Sequence, residues 1–328
     1  MSYVKNNFAK LLDEHEKATG LTDNTLAERI SVSKMTIYYW RTGKTKRPLS
    51  RDKLLKCAEI LELTPIQCAE FLQAAGHCSP TCQPPPVPVV GIPIMQPYHF
   101  FGRESILQQI YWAWHKTVPE SIAIIGPKRS GKTSLLNYLY NIAHTTCLRP
   151  KQPQGWPDNW LPRGFNYVWM DFQDANMSRI DTLLKDVLQQ LKLEVPSSCD
   201  LASFSRIIKQ QVKPTTVILM DNLEAGFRTA SFEVAFWENM RFLGSHGKLS
   251  FVVTALEPPA QLEQSSVFFS IFGHILALGA LTESEARELL TSFSQTFSPT
   301  EIEFMLKESG CWPEPLQKLC DTRLQQLM

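Results

Sequence analysis

The residues whose types and spacing point most directly to chemistry run from Gly126 to Ser134: Gly126-Pro127-Lys128-Arg129-Ser130-Gly131-Lys132-Thr133-Ser134. They follow the apolar run Ile122-Ala123-Ile124-Ile125 and precede Leu135-Leu136-Asn137-Tyr138-Leu139, which has the apolar spacing of a helix. The pattern G-x-x-x-x-G-K-[ST] is met by Gly126, Gly131, Lys132 and Thr133, in the order strand, Gly-rich loop, helix that a phosphate-binding loop requires. The glycines let the backbone curl so that successive N–H groups face phosphate oxygens, and the helix start adds the positive end of its dipole. Lys132 is placed to reach the β- and γ-phosphates and Thr133 to put its hydroxyl on Mg²⁺. The chemistry this predicts is binding of a nucleoside triphosphate with Mg²⁺. No guanine-reading N-K-x-D box falls in a fitting position, so ATP is the expected nucleotide.

A second constellation complements the first. The apolar run Thr216-Val217-Ile218-Leu219-Met220 ends in Asp221, the arrangement that delivers a carboxylate from a buried strand to the Mg²⁺ water shell. Asn222 follows, and an amide cannot accept a proton as a base does. Glu224, two positions on, is the candidate substitute base, and slow or partner-dependent hydrolysis is the expectation. Thr254, at the end of the run Leu249–Thr254, is placed to sense a γ-phosphate through its hydroxyl. Phe236-Trp237-Glu238-Asn239-Met240-Arg241-Phe242-Leu243 reads as a helix and resembles the segment before the fourth strand of STAND-like ATPases, which implies an interfacial or phosphate-sensing role for Arg241, with a surface ion-pair residue as the alternative.

Positioning these groups takes a particular set of elements. Strands are predicted at 122–125, 166–171, 216–220, 249–254 and 275–278. Helices are predicted at 105–115, 135 onward, 178–193 and 236–243. Strands separated by helices argue a parallel α/β sheet. From Leu281 the chain reads as helical, with Thr282 as a cap and Glu283 and Glu285 in an acidic first turn, then helices at 299–308 and 315–327. A polar segment rich in Pro and Trp, 148–164, interrupts the α/β pattern.

The first 76 residues are of another kind. Helical periodicity appears at 3–17, 24–30, 34–42, 51–61 and 65–75, with Thr22-Asp23 and Thr64 as caps and Gly43 as a terminator. Between Lys34 and Lys56 there are eight basic residues and one acidic residue, on a chain whose net charge is +1. A local basic patch on a near-neutral protein suggests a polyanion partner for this domain alone. The segment 77–97 is dense in proline, including Pro84-Pro85-Pro86, and reads as a semi-rigid extended linker. The predicted organisation is therefore 1–76 helical domain, 77–97 linker, 98–280 nucleotide-binding core and 281–328 helical lid.

Apolar residues make up 44% and charged residues 20% of the 328, ordinary for a globular protein. No apolar run approaches the length of a membrane span, and MSYVKNNFAK lacks the apolar core of a secretory signal. A cytoplasmic location with reduced thiols is expected. Among the eight cysteines only Cys78 and Cys82 lie close together, beside His77, without the second ligand pair that a zinc site needs.

Two resemblances cover almost the whole chain. Residues Thr25-Leu26-Ala27-Glu28-Arg29-Ile30, Val32-Ser33, Ile37, Trp40 and Arg41-Thr42-Gly43-Lys44 resemble the helix-turn-helix of Cro/repressor-type (XRE-type) domains, with Ser31 where that family usually has Gly. The resemblance implies that Ala27 lies where two helices cross and that Leu26, Val32, Ile37 and Trp40 are buried. It implies double-stranded DNA as partner. Lys34, Met35 and Tyr39 would face bases, with Thr36 and Tyr38 beside them. Arg41, Lys44, Lys46 and Arg47 would meet phosphates. Tyr98-His99-Phe100-Phe101-Gly102-Arg103-Glu104 looks like the F-x-GRE box that precedes the first strand of many AAA+ and STAND-type NTPases. That resemblance implies that Gly102 and Arg103 lie near the adenine. Leu281-Thr282-Glu283-Ser284-Glu285-Ala286 is similar to the start of their lid. Cys311-Trp312-Pro313 stands in place of a G-x-P element, which implies Pro313 over the nucleotide.

Together the readings predict a multidomain chain, a small all-α helix-turn-helix domain joined to an α/β P-loop NTPase with a helical lid. They imply an ATP-controlled switch acting on DNA, in a transcriptional, defence or mobile-element setting, with assembly into a homo-oligomer in the ATP-bound form. A DNA-stimulated ATPase of the transposition-helper type and an adaptor whose helical domain binds a protein partner remain open beside it.

Overall fold

The computed structural model describes residues 7–45, 48, 50–63, 65–76, 86–142, 165–212, 215–257, 268–293 and 297–327. The expectations for Thr64, Lys46, Arg47, His77, Cys78, Cys82 and the segment 148–164 lie outside the described residues. The described cysteines carry no disulfide. No described helix is long and apolar enough to cross a membrane. The chain divides into two compact units, whose described parts are 7–76 and 86–327.

In the first unit five helices are described: α1 (Asn7–Thr19), α2 (Asp23–Ile30), α3 (Lys34–Arg41), α4 (Arg51–Ile60) and α5 (Pro65–Ala74). Local chemistry sets their limits. Thr22, Ser33 and Ser50 each accept the N–H three residues on, capping α2, α3 and α4. Phe8 sits in the middle of the core, 5.0 Å from the Phe71 ring and 6.0 Å edge-on to Trp40. Leu26, Ala27, Ile37 and Leu54 close around them, and Val32 is partly buried against the same cluster.

The turn from α2 to α3 passes through Ser31 in the left-handed region, φ 58°. A side chain there costs about 1–2 kcal/mol, while glycine's extra backbone freedom returns about 0.5–1 kcal/mol of that advantage to the unfolded chain. The Ser31 side chain is exposed, so little packing is at stake. Ser31→Gly is therefore expected to stabilise this unit by about 0.5–1 kcal/mol, read as a higher denaturation midpoint at unchanged slope.

The second unit is built on five parallel strands: β1 (Ser121–Ile125), β2 (Asn166–Asp171), β3 (Thr216–Asp221), β4 (Ser250–Ala255) and β5 (Phe272–Ala277), in the order β2-β3-β4-β1-β5. Every residue of β3 and β4 is buried, as expected for central strands of a parallel sheet covered on both faces. Nine helices are described around it: α6 (Glu104–Trp114), α7 (Lys132–Ile142), α8 (Ile180–Gln190), α9 (Leu201–Gln211), α10 (Leu223–Arg228), α11 (Val234–Ser245), α12 (Glu283–Thr291), α13 (Pro299–Ser309) and α14 (Pro313–Leu327). Of these, α9 and α10 were not foreseen from the sequence. Because all five strands run the same way, Ile125, Asp171, Asp221, Ala255 and Ala277 end at one edge. The chain leaves β1 toward β2 on one side and later returns to β5 on the other, which opens a crevice at that edge.

The helices α12 to α14 form the lid. Thr282 with Glu285 and Ser298 with Glu301 make reciprocal capping boxes, and Gly310 ends α13 in the left-handed region. Leu281, Ala286, Leu290, Leu316 and Cys320 form the lid core, into which Phe101 packs from the segment before α6.

The segment expected as linker up to Pro97 is only partly so. From Pro86 onward it belongs to the second unit, and residues 97–99 form a 3-10 turn. Between them the backbone forms no helix or strand, turns at Gly91 with φ 81°, and is held by side chains of α7 and α14.

Candidate nucleotide site

The loop between β1 and α7 is shaped by neighbours that leave no room for side chains. A Cβ on Gly126 would lie 2.5 Å from the Leu278 carbonyl oxygen, so only glycine fits. Arg129 and Gly131 take positive φ, 65° and 94°, which turns the loop and brings the chain into α7 at Lys132. The first-turn N–H groups of α7 have no intrahelical acceptors and face the crevice as anion donors. The Ser130 hydroxyl is buried without a hydrogen-bond partner.

Lys132 donates from Nζ to the carbonyls of Gly126 (2.8 Å) and Pro127 (2.9 Å). Its ammonium thus lies inside the curl of the loop. Burial pulls its pKa below the ordinary lysine value, opposed by the carboxylates of Glu224 and Asp221. The Thr133 hydroxyl donates to Asp221 Oδ2 at 2.8 Å, and the Thr254 hydroxyl donates to Asp221 Oδ1. The sheet order makes this possible, since β4 lies between β1 and β3 and carries Thr254 opposite Ile124. The Asn222 N–H donates in turn to Thr254 Oγ1 at 3.1 Å. Burial raises the Asp221 pKa, while the two threonine hydroxyls hold it down and the nearby Asp171 carboxylate adds to the rise.

Asp171 is a residue that the sequence reading placed on a strand without assigning it a role. It pairs in register with Asp221 and accepts Asn222 Nδ2 and the Gln173 N–H, each at 2.9 Å. The signal was present: YVWMD and VILMD end two strands in the same way. Asn222 has φ 56° and starts α10. Its amide is turned to Asp171, and Glu224 follows in the first turn of α10 with Oε2 buried and unpartnered.

Arg103 stands differently from its expected place beside a base. It is 7% exposed, and its guanidinium donates to three backbone carbonyls: Ser130 (2.9 Å), Gly279 (2.6 Å) and Ala280 (3.0 Å). It ties the phosphate loop to the connection between β5 and α12. Gly102 has φ 71°, and a Cβ there would lie 2.9 Å from Glu285 Cβ. Glu285 accepts the Glu104 N–H at 3.0 Å, which fixes this segment against the lid. Arg103 lines a small cleft of about 50 Å³, walled also by Ile94, Phe100, Ser130, Leu281, Pro313 and Gln317. Cys311, which stands where the resemblance implies glycine, has φ 60°, the conformation glycine would take freely.

Other expected residues sit apart from this cluster. Arg241 lies on the exposed side of α11, whose buried side carries Phe236, Trp237, Met240 and Leu243. Lys128 is exposed on the loop, and Arg129 pairs with Glu314 of α14 at 2.6 Å. Ser134 is turned from the crevice face of α7 toward residue 94, whose N–H it accepts at 3.0 Å.

In the first unit α3 exposes Lys34, Met35, Tyr38 and Tyr39, with Met35 54% exposed. Thr36 is half-buried and bonds to the capping Ser33 hydroxyl at 2.8 Å. Lys44 Nζ lies 5.0 Å from the Tyr39 ring centre and 5.7 Å from that of Tyr38. Arg41 is engaged internally, with Asp23 at 2.9 Å and Glu16 at 3.8 Å, rather than held out for a phosphate.

The donor set suits ATP with Mg²⁺. Thr133 and Asp221 offer hard oxygen ligands of the kind Mg²⁺ takes, and the loop offers Lys132, backbone N–H groups and the orphaned Ser130 hydroxyl to phosphate. A parallel sheet with this loop after β1 and Asp221 ending β3 defines an α/β P-loop NTPase fold. No family model matches the chain, and no curated protein matches it. Among solved structures it is similar to the Aeropyrum pernix Orc1 protein in complex with DNA (TM-score 0.46, 12% identity, 66% of this chain and 58% of that one). It is also similar to AMPPCP-bound DnaA from Aquifex aeolicus (TM-score 0.45, 14% identity, 68% and 64%), and to a Thermotoga maritima RuvB variant (TM-score 0.42, 17% identity, 69% and 63%). The chain spans less than two thirds of the length of each. Likeness of this degree says nothing of function, which rests on the site itself.

Proposed function

We propose that the chain is an ATP-binding switch of the AAA+/STAND kind whose helical first unit binds double-stranded DNA. The observation that carries the nucleotide half is the linked set Lys132, Thr133, Asp221 and Thr254 at the C-terminal edge of the sheet. Lys132 and the loop N–H groups would hold the phosphates, Thr133 and Asp221 would hold Mg²⁺, and Thr254 would sense the state of Asp221. Mg²⁺, when bound, would supply charge neutralisation. Asn222 leaves the position after Asp221 without a base, so turnover is slow. Glu224, with its unpartnered buried oxygen, is the group available to accept a proton from water.

The DNA half rests on the exposed face of α3. Lys34, Met35 and Tyr39 sit at the start and middle of a capped second helix, the position that enters a major groove in helix-turn-helix proteins. Lys44 stacks over the tyrosines beside them. ATP acts by its difference in affinity between arrangements of the chain, and the output is regulation of an event on DNA.

The test is binding of the full chain to labelled duplex from its own upstream region, by anisotropy, with no nucleotide, with ADP and with a non-hydrolysable ATP analogue. The expected result is an affinity or stoichiometry that changes with the analogue and falls steeply with salt, each neutralised phosphate contributing roughly 0.9 to the log–log slope. Equal binding in every nucleotide state would leave the two units merely tethered. Absence of DNA binding above non-specific levels would favour the adaptor reading, with α3 facing a protein.

A further inference from the structure

The segment 86–96 offers an inference that rests on the nucleotide-site reading and deepens it. Its ends are set by two buried prolines, Pro86 and Pro97. Between them Val87, Ile92 and Met95 are exposed, so apolar burial does not hold the middle. Polar side chains do. Gln317 Oε1 of α14 accepts the Val89 N–H at 3.1 Å. Ser134 Oγ of α7 accepts the Ile94 N–H at 3.0 Å. Asn137 Nδ2 donates to the Ile94 carbonyl at 3.2 Å, and Asn141 Nδ2 to the Met95 carbonyl at 3.1 Å. Asn137 and Gln317 are 4% and 6% exposed; two buried amides are devoted to this backbone.

The two helices that hold the segment both begin at the phosphate loop. Ser134 lies two residues after Lys132, on the helix whose first turn faces phosphate. Gln317 lies three residues after Glu314, one turn along α14, and Glu314 is paired with Arg129 at the tip of the loop. The segment thus bridges the helix that carries the loop and the lid helix that grips it. Val89 and Ile94 are five positions apart, a reach of at most about 17 Å fully extended. The chain between them turns at Gly91, φ 81°, so a segment pinned at both ends answers a change in spacing between α7 and α14 by opening that turn or by releasing one set of these bonds.

We propose that residues 86–96 are a strap that reads the state of the nucleotide site, docked by Gln317 on the lid and by Ser134, Asn137 and Asn141 on α7, and released when nucleotide re-spaces the two helices. Side-chain hydrogen bonds to a solvent-facing backbone exchange readily with water, which makes the docking reversible. The strap continues N-terminally into the chain that leads to the helical unit.

The experiment is hydrogen exchange on the full chain, without nucleotide, with ADP and with a non-hydrolysable ATP analogue, with nucleotide affinity measured by calorimetry on the same samples. Peptides covering Val89 and Ile94 are expected to change exchange rate by about fivefold or more between states, the effect of losing one hydrogen bond, while peptides over α8 stay constant. Asn137→Ala, and Asn141→Ala as a milder variant at a more exposed position, are expected to reduce that difference below about twofold with nucleotide affinity within about threefold of the parent. Nucleotide binding by calorimetry with identical exchange at 86–96 in all states would overturn the strap and leave the site standing. No nucleotide binding at all would overturn both.

Discussion

Lys132→Ala is expected to weaken nucleotide binding by at least about a hundredfold, because a charge-assisted hydrogen bond to phosphate contributes about 1.5–3 kcal/mol and Lys132 is placed to make more than one. The ammonium lies inside the loop, held by the Gly126 and Pro127 carbonyls, so the parent site has its cation in place before phosphate arrives. The fold should survive the change. Lys132 is half-buried, burial already pulls its pKa down, and removing it takes a partly desolvated charge out of the loop. The measurement is calorimetric affinity for ATP with Mg²⁺, alongside the thermal shift that saturating nucleotide produces, which should vanish with the affinity. Arg129→Ala is the comparison: its side chain is 66% accessible and that of Glu314 19%, and a pair with one partner exposed is expected to change affinity far less than Lys132 does. Unchanged nucleotide affinity in Lys132→Ala would remove the nucleotide site, and with it the switch.

Arg103→Ala is expected to cost about 3–5 kcal/mol of stability in the second unit, the range for breaking a buried charged network by removing one partner. Three carbonyls would lose their donor at once, those of Ser130, Gly279 and Ala280. The loop itself would lose its tie to the lid connection, so nucleotide affinity should fall as well. Arg103→Lys is not expected to rescue, because a single ammonium cannot serve three carbonyls spread around a planar fork. Chemical denaturation followed by tryptophan fluorescence gives the stability, and calorimetry the affinity. Full stability with lost binding would mean that Arg103 meets the nucleotide directly, as the sequence resemblance implies, and that its role as a clamp is secondary.

Arg103 also shows where sequence reasoning reached and stopped. The G-R-E stretch was singled out through its resemblance, which implied a place near the adenine and said nothing of what the guanidinium bonds. What the guanidinium does depends on carbonyls 27, 176 and 177 residues away. Thr254 was expected at a strand end near phosphate, and its hydroxyl does meet Asp221. Arg241 was read either as an interfacial or phosphate-sensing arginine or as a surface ion-pair residue, and it lies on the exposed side of α11. The two differ because a strand end in a parallel sheet has one address, the shared edge, whereas a helical residue can face either way.

The sequence by itself determined what is written over a few neighbouring residues. Helix limits follow from caps three residues apart, such as Thr282 with Glu285 and Ser298 with Glu301, and those pairs are visible in the string. The phosphate loop follows from glycines and lysine at fixed spacing, and the strands from apolar runs that end in Asp171 and Asp221. Only the tertiary structure decided which strand lies beside which. Strand order put Thr254 on Asp221 and brought Asp171 against Asn222, and the packing of α7 and α14 bound residues 89–95 of the proline-dense stretch. Those outcomes turn on side-chain hydrogen bonds across large separations, Val89 to Gln317 being 228 residues apart. Local periodicity carries no information about such pairs, because their energy appears only after the sheet has closed and water has been excluded from between them.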